Sequence, residues 1–343
     1  MAYKVESTER FTNSASIAET KALLYLMNFR SDSNEINFFV VDFFNDVTGI
    51  DRYAMKLWDV QSKASSNVAP KKIGQNLVTL YKNFLSEFDF HSYILFMGTP
   101  SVTVRKNLNT SCFGIDNITA SALTKIRQGL KEEAERVTYI ANEKITDKSL
   151  DDFLHLVHFV IDDKKPCEYI KPIINVKKEL IPDDDVLTAI FNEIKNLQSI
   201  KKNGAPVEGI TINVPHESLN YYRHLSADEI KLLVLSRVIN KNPMEQGSPM
   251  SFVPILNNIP LEQRRTCIED CQIALCRALF DKNAGDVFWR ILSEIIYIIQ
   301  NNPSYNVNQI YSSLDTFLLQ ESRIFDAFSL KFFIANIKDG VEL

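Results

Sequence analysis

Apolar positions in the first hundred residues switch between two periods. Ala15, Ala18, Ala22, Leu23, Leu26 and Met27 fall on one broad helix face, which predicts a helix over 14–29 with Ser14 as its N-cap. Residues 36–44 are dense in β-branched and aromatic side chains and read as a buried strand. A turn follows over 45–51, marked by Asp46 and Gly49, and 53–64 reads as a second strand forming a hairpin with the first. Leu77, Leu80, Tyr81, Phe84 and Leu85 restore the helical period over 73–88. Residues 92–97 form a short apolar strand closed by Gly98 and Pro100. The predicted order is helix, strand, strand, helix, strand.

Beyond Pro100 the pattern is mainly amphipathic helix, over 119–143, 150–161, 186–200, 227–240, 261–280, 284–301 and 307–328. Asp183, Asp184 and Asp185 precede the third of these, where acidic groups complement a helix N-terminus. Residues 201–206 (KKNGAP) read as a linker and 210–214 as a brief strand. Residues 242–260, with Pro243, Pro249, Pro254 and Pro260, read as turns. Boundaries therefore fall at 115 and 205. The expected fold class is α+β: a domain over 1–115 with a central mixed sheet flanked by helices, a helical connecting region over 116–205, and a mainly helical C-terminal domain over 206–343.

Composition narrows the classes. At 343 residues and roughly 150 per domain, about two domains are expected. Hydrophobic content of 45% and charged content of 24% exclude a disordered or collagen-like chain. The net charge of −5 excludes a generally basic surface, so a nucleic-acid site would have to be local. One stretch has that character: 52–82 holds six basic residues and one acid, Asp59. The five cysteines include no C-x-x-C pair and read as free thiols of a reduced interior. No apolar leader and no 18-residue apolar run is present, so a soluble cytoplasmic protein with no membrane association is expected.

Candidate chemistry lies in the two neighbouring strands. Along 57–63, strand alternation puts Asp59, Gln61 and Lys63 on one face. Asp46 precedes them by fifteen residues, with Asp42 on the same parity. Glu19 lies on the apolar side of the first helix, where a carboxylate is costly unless partnered. A carboxylate, a further oxygen donor two residues before a lysine, and a helix glutamate describe a Mg²⁺-dependent phosphodiester hydrolase, since Mg²⁺ takes few protein oxygens and keeps several waters. A solvated strand face, with Lys63 exposed and Asp46 only starting a turn, is the plainer alternative.

Asp46 followed by Gln61-Ser62-Lys63, in this element order, resembles the PD-(D/E)xK restriction-endonuclease superfamily in its Q-x-K branch. More narrowly, Ala15 to Glu19, Phe39 to Val47 and Trp58 to Lys63 resemble the double-stranded DNA endonuclease domain of CD-NTase-associated antiphage effectors. The resemblance covers the N-terminal third of the chain. It implies a restriction-endonuclease-like domain in which Asp46, Gln61 and Glu19 hold Mg²⁺, with Mn²⁺ as a substitute, and Lys63 is the catalytic lysine. Asp42 matches the acidic position before the principal one. Gln61 in place of Glu or Asp removes one negative charge from the site.

Lys71 and Lys72, expected in the loop after the Q-x-K strand, are candidates for the DNA backbone. No interleaved aromatics point to base readout, so little sequence specificity is expected. His155 and His158, three apart in an expected helix, lack further ligands at metal spacing, and His91 precedes the 92–97 strand. No Walker, G-x-G-x-x-G or G-x-S-x-G sequence occurs, so ATP hydrolysis by the chain itself is not expected. Nucleases of the resembling family carry C-terminal modules that silence them. The short helical remainder here is similar to the type that docks onto an SMC-like ATPase and a middle subunit in Lamassu-type antiphage systems. The resemblance thus implies a DNA endonuclease effector, held inactive by partners until foreign DNA is sensed, and homo-oligomeric when active. An RNA nuclease of the same fold, or a non-catalytic interaction subunit, are the alternatives.

Overall fold

The computed structural model describes residues 2–6, 13–176, 181–204, 206–281, 285–321 and 325–341, with no side-chain account for 13, 14, 285, 286, 320 and 321. The chain divides into two compact units, one of residues 1–169 and 191–227, the other of 170–190 and 228–343. The first is α+β, with a seven-stranded mixed sheet flanked by helices; the second is helical.

In the first unit β1 (Tyr3–Lys4) leads to α1 (Asn13–Asn28), β2 (Ile36–Val41), β3 (Val47–Asp51) and β4 (Leu57–Lys63). The short helices α2 (Pro70–Asn76) and α3 (Val78–Phe84) follow, then β5 (Ser92–Met97), β6 (Cys112–Phe113), α4 (Ala120–Arg136), α5 (Asp147–Leu156) and β7 (Val157–Ile161). After α6 (Pro166–Ile170), helix α7 (Asp184–Lys202), β8 (Thr211–Ile212) and β9 (His224–Ser226) complete it. The sheet order is β6-β7-β5-β4-β3-β2-β9, with β4–β5 and β5–β7 parallel and the other pairs antiparallel. β1 pairs separately with β8. Helix α1 packs against β2, β3, β4 and β5, while α2, α3, α4 and α5 join the apolar cluster that also takes Leu95, Met97, Phe159 and Ile161 from the sheet.

Several expectations are corrected. The expected two-stranded hairpin is a three-stranded meander, because 47–51 is a strand rather than a turn. Gly49 belongs to this strand because of space: a Cβ there would meet Ile36 Cγ2 at 3.1 Å and Leu26 Cδ1 at 3.2 Å. The helix expected over 73–88 is two short helices meeting at Leu77. Residues 150–161 divide into the end of α5 and β7, since β-branched Val157, Val160 and Ile161 extend alongside β5. The sheet thus takes strands from well beyond residue 115. Helix α1 starts at Asn13, ahead of the expected cap Ser14, whose side chain lies outside the described ones.

The second unit holds the first residues of α7 and then α8 (Ala227–Val238), α9 (Val253–Leu256), α10 (Arg264–Phe280), α11 (Gly285–Asn301), α12 (Val307–Ser313), α13 (Thr316–Glu321) and α14 (Ala327–Val341). The single helix expected over 307–328 is broken by acidic N-caps: Asp315 Oδ1 accepts from Phe317 N, and Asp326 Oδ1 from Phe328 N and Ser329 N, each at 2.8 Å. Helix α14 is the core of this unit, packing against α10, α11 and α12 with Phe332, Phe333 and Ile334 buried. Among the described residues, no helix is long and apolar enough to cross a membrane.

Candidate active site

The β2–β3 hairpin places Asp46. Val41 pairs with Val47, so residues 42–46 form the connecting loop, and Asp42 enters it in the left-handed region at φ +49°. Asp42 N–H donates to the Asp46 carbonyl at 3.2 Å. Asp46 Oδ2 accepts from Gln61 Nε2 at 2.7 Å, Ser62 N at 2.7 Å and Ser62 Oγ at 2.9 Å. Three donors on one oxygen fix the carboxylate against the end of β4. Because Gln61 anchors through its nitrogen, its amide oxygen keeps lone pairs for a metal ion or as a hydrogen-bond acceptor; Gln61 is itself buried.

Lys63, the last residue of β4, is half-buried, and its carbonyl accepts from Gly98 N at 3.0 Å. On the same face of β4, Asp59 is fully buried, bonded by Asn83 Nδ2 at 2.7 Å and Thr48 Oγ1 at 3.3 Å. Loss of solvent pushes its pKa up to about 7, which these hydrogen bonds offset only in part.

Glu19 on α1 does carry a partner, as its burial demanded. Lys202 Nζ, at the end of α7, meets Glu19 Oε1 at 3.0 Å, with the two side chains only 11% and 6% exposed. Burial opposes the charge on Lys202, yet Glu19, Asp42 and Asp46 together raise its pKa above the ordinary lysine value. Arg223 NH1 bonds Asp42 Oδ2 and the Asp42 carbonyl, both at 3.2 Å. Three carboxylates therefore gather at one end of the sheet with two cations that arrive from much later in the chain.

Two concavities meet at Gln61. The smaller, about 20 Å³, has Glu6, Asp42, Asn45, Asp46, Gln61 and Thr79 among its lining residues, enough for one water or one ion. Asn45 Oδ1 accepts from Asp46 N at 3.0 Å, and its buried Nδ2 lies toward the Asp59 carboxylate, whose charged form it favours. The Asp42 and Asp46 carboxylates and the Gln61 amide oxygen beside such a space are hard ligands that suit a hydrated Mg²⁺, with Glu6 on the same rim. Among the described residues, no group of three His, Cys, Asp or Glu converges, so the fit is to a two-carboxylate site and not to a closed cage. The larger concavity is a groove of about 560 Å³ whose lining includes Gln61, Lys63, Lys72, Glu133, Arg136 and Tyr139.

The structure thus brings together Asp46, Gln61 and Lys63, with Asp42 adjoining. Glu19 does not border the small cleft and faces Lys202 instead. Lys71 and Lys72 lie on the first turn of α2 and not in a loop. They diverge, Lys71 Nζ pairing with Glu132 at 2.6 Å while Lys72 enters the groove. His91 is at the opposite end of the strands, against Trp58, because Trp58 pairs with Ser92 whereas Lys63 pairs with Met97. His155 and His158 fall on different elements, the second on β7.

Sequence reasoning missed Ser62, Asn45, Lys202, Arg223 and Arg136. Strand alternation puts Ser62 on the face of β4 opposite Gln61 and Lys63, and the linker expected over 201–206 takes in Lys202. The one available signal was Glu19 itself, a buried acid that required a cation. No protein-family profile, curated protein or solved structure matches the chain.

Proposed function

We propose that the chain is a metal-dependent, largely sequence-nonspecific DNA endonuclease of the PD-(D/E)xK superfamily, Q-x-K branch, built on a restriction-endonuclease-like frame. One observation carries the reading: Asp46 and Gln61, fifteen residues apart, touch at 2.7 Å beside Lys63 at the mouth of a groove. Asp46, the Gln61 amide oxygen and Asp42 would hold Mg²⁺ or Mn²⁺, which when bound polarises the phosphodiester and lowers the pKa of a water. Lys63 places an ammonium where negative charge grows on the phosphoryl oxygens. Ser62 holds Asp46 in orientation.

The sequence resemblance supports a wider role as the effector of a Lamassu-type antiphage system. In that role an SMC-like ATPase and a middle subunit hold the enzyme silent until foreign DNA is sensed, and the helical second unit presents the docking surface. Duplex cleavage calls for two active sites, hence a homo-oligomer in the active state. The acidic net charge confines nucleic-acid contact to a local basic surface.

A second reading has its own support. The pairs Lys202–Glu19 and Arg223–Asp42 neutralise acids without any metal, as a non-catalytic scaffold subunit would. Plasmid and RNA cleavage with Mg²⁺ or Mn²⁺ separates the readings, comparing wild type with Asp46→Ala and Lys63→Ala, alone and co-expressed with its operon partners. DNA nicking lost in both variants supports the endonuclease. Preferential RNA cleavage moves the substrate, and no cleavage in either setting supports the scaffold.

A further inference from the structure

The groove beside Lys63 has a construction of its own. Its walls are α2 and α4, which touch backbone to backbone at two glycines. A Cβ on Gly74 would lie 1.9 Å from the Ile126 carbonyl oxygen, and one on Gly129 would lie 2.1 Å from the Lys71 carbonyl oxygen. Neither contact can be relieved by a side-chain rotation, so glycine at both positions sets how closely α2 and α4 approach. Lys72, near the start of α2, and Arg136, at the end of α4, both line the groove.

The lining is cationic on a chain that is acidic overall. Lys63, Lys72 and Arg136 face the space against one acid, Glu133. Glu133 is largely committed to Arg136, with Arg136 Nε on Glu133 Oε2 at 3.1 Å. Lys72 makes no ion pair among the described residues. Arg136 is 70% exposed, so its pair with Glu133 is a weak one that a phosphate can replace. Tyr139 adds an aromatic wall, and Gln75, Asn76 and Thr79 add neutral polar groups.

We infer that this groove holds one strand of nucleic acid, with Lys72 and Arg136 on successive backbone phosphates, and that it feeds the strand to Lys63. The inference rests on the endonuclease reading for what happens at Lys63, but not for the binding itself. Cations that meet phosphates hold a strand by its backbone, which carries no sequence information. Lys71, turned onto Glu132, takes no part.

Fluorescence anisotropy with labelled single-stranded DNA, duplex DNA and single-stranded RNA, all in EDTA, tests the groove without cleavage. Lys72→Ala and Arg136→Ala, alone and combined, are compared with Lys56→Ala, whose ammonium pairs with Glu35 beyond the far end of β4. The double variant is expected to bind single-stranded DNA about tenfold more weakly at moderate salt, and to lower the slope of log K against log salt by about 1.4. Lys56→Ala should match wild type. Equal affinity and slope for wild type and the double variant overturn the groove, as does a wild type that binds no nucleic acid. A groove that binds as expected in a protein that never cuts leaves the inference standing and removes the endonuclease reading. Cleavage that is lost in Asp46→Ala but unaffected in the double variant does the reverse.

Discussion

Replacing Lys202 by Met tests how the acid cluster is neutralised. The substitution keeps the length and the apolar stem but removes the charge that Glu19 meets at 3.0 Å. Deleting one partner of a buried ion pair costs about 3–5 kcal/mol. The ammonium keeps some solvent contact, so the lower end, about 3 kcal/mol, is expected. In a folding unit of this size each kcal/mol moves Tm by about 2–4 °C, giving a fall of about 6–12 °C. The difference should narrow toward about pH 4, because a carboxylate that has lost its cation is relieved by protonation. Differential scanning fluorimetry in EDTA and then in rising Mg²⁺ reads both effects. If the cluster accepts a divalent cation, Mg²⁺ should restore several degrees to Lys202→Met and shift wild type less. A variant within 2 °C of wild type in EDTA, or an equal Mg²⁺ shift in both proteins, would refute the reasoning.

The remaining predictions concern the core beneath the site and the groove. Asp59 has its folded pKa raised to about 7, above its unfolded value, so the folded state binds the extra proton and stability falls as pH rises from about 4 to 7. Asp59→Asn should therefore gain stability relative to wild type at pH 8, with the gain shrinking toward pH 5; urea unfolding in EDTA at the two pH values measures it, and a pH-independent difference would refute the assignment. Gly129→Ala should cost about 3 kcal/mol by forcing α2 from α4, seen as a lower urea midpoint at unchanged m, and should also weaken DNA binding; a change below about 0.5 kcal/mol would show that the helices can part freely. Ser62→Ala removes one of three donors to Asp46 Oδ2 and should cost about 1 kcal/mol while lowering cleavage through KM for metal; unchanged metal dependence would separate Ser62 from the site.

The amino-acid pattern by itself determined the pieces that depend on near neighbours. The α1 helix, the 92–97 strand, the Q-x-K strand and the helical C-terminal region all follow from apolar period and local hydrogen-bonding preference. The approach of Asp46 to Gln61 does not, because it needs 47–51 to be a strand, so that a three-stranded meander brings residues fifteen apart to the same end of the sheet. Gly49 misled, since glycine reads as a turn in sequence while in space it makes room for Leu26 and Ile36. Val157 to Ile161 misled for the opposite reason: its apolar run suits helix or strand, and only a free edge of β5 decides between them.

What tertiary structure alone decided is which charges meet. Lys202 lies 183 residues from Glu19 and Arg223 lies 181 from Asp42, and no periodicity extends across such intervals. Lys71 and Lys72 are adjacent in sequence yet diverge, one onto Glu132 and one into the groove, because successive side chains on a helix point about 100° apart. A buried acid tells the reader that a cation must come; only the packing of α7 along α1, through Thr20 and Gln198 at 2.8 Å, says which one does.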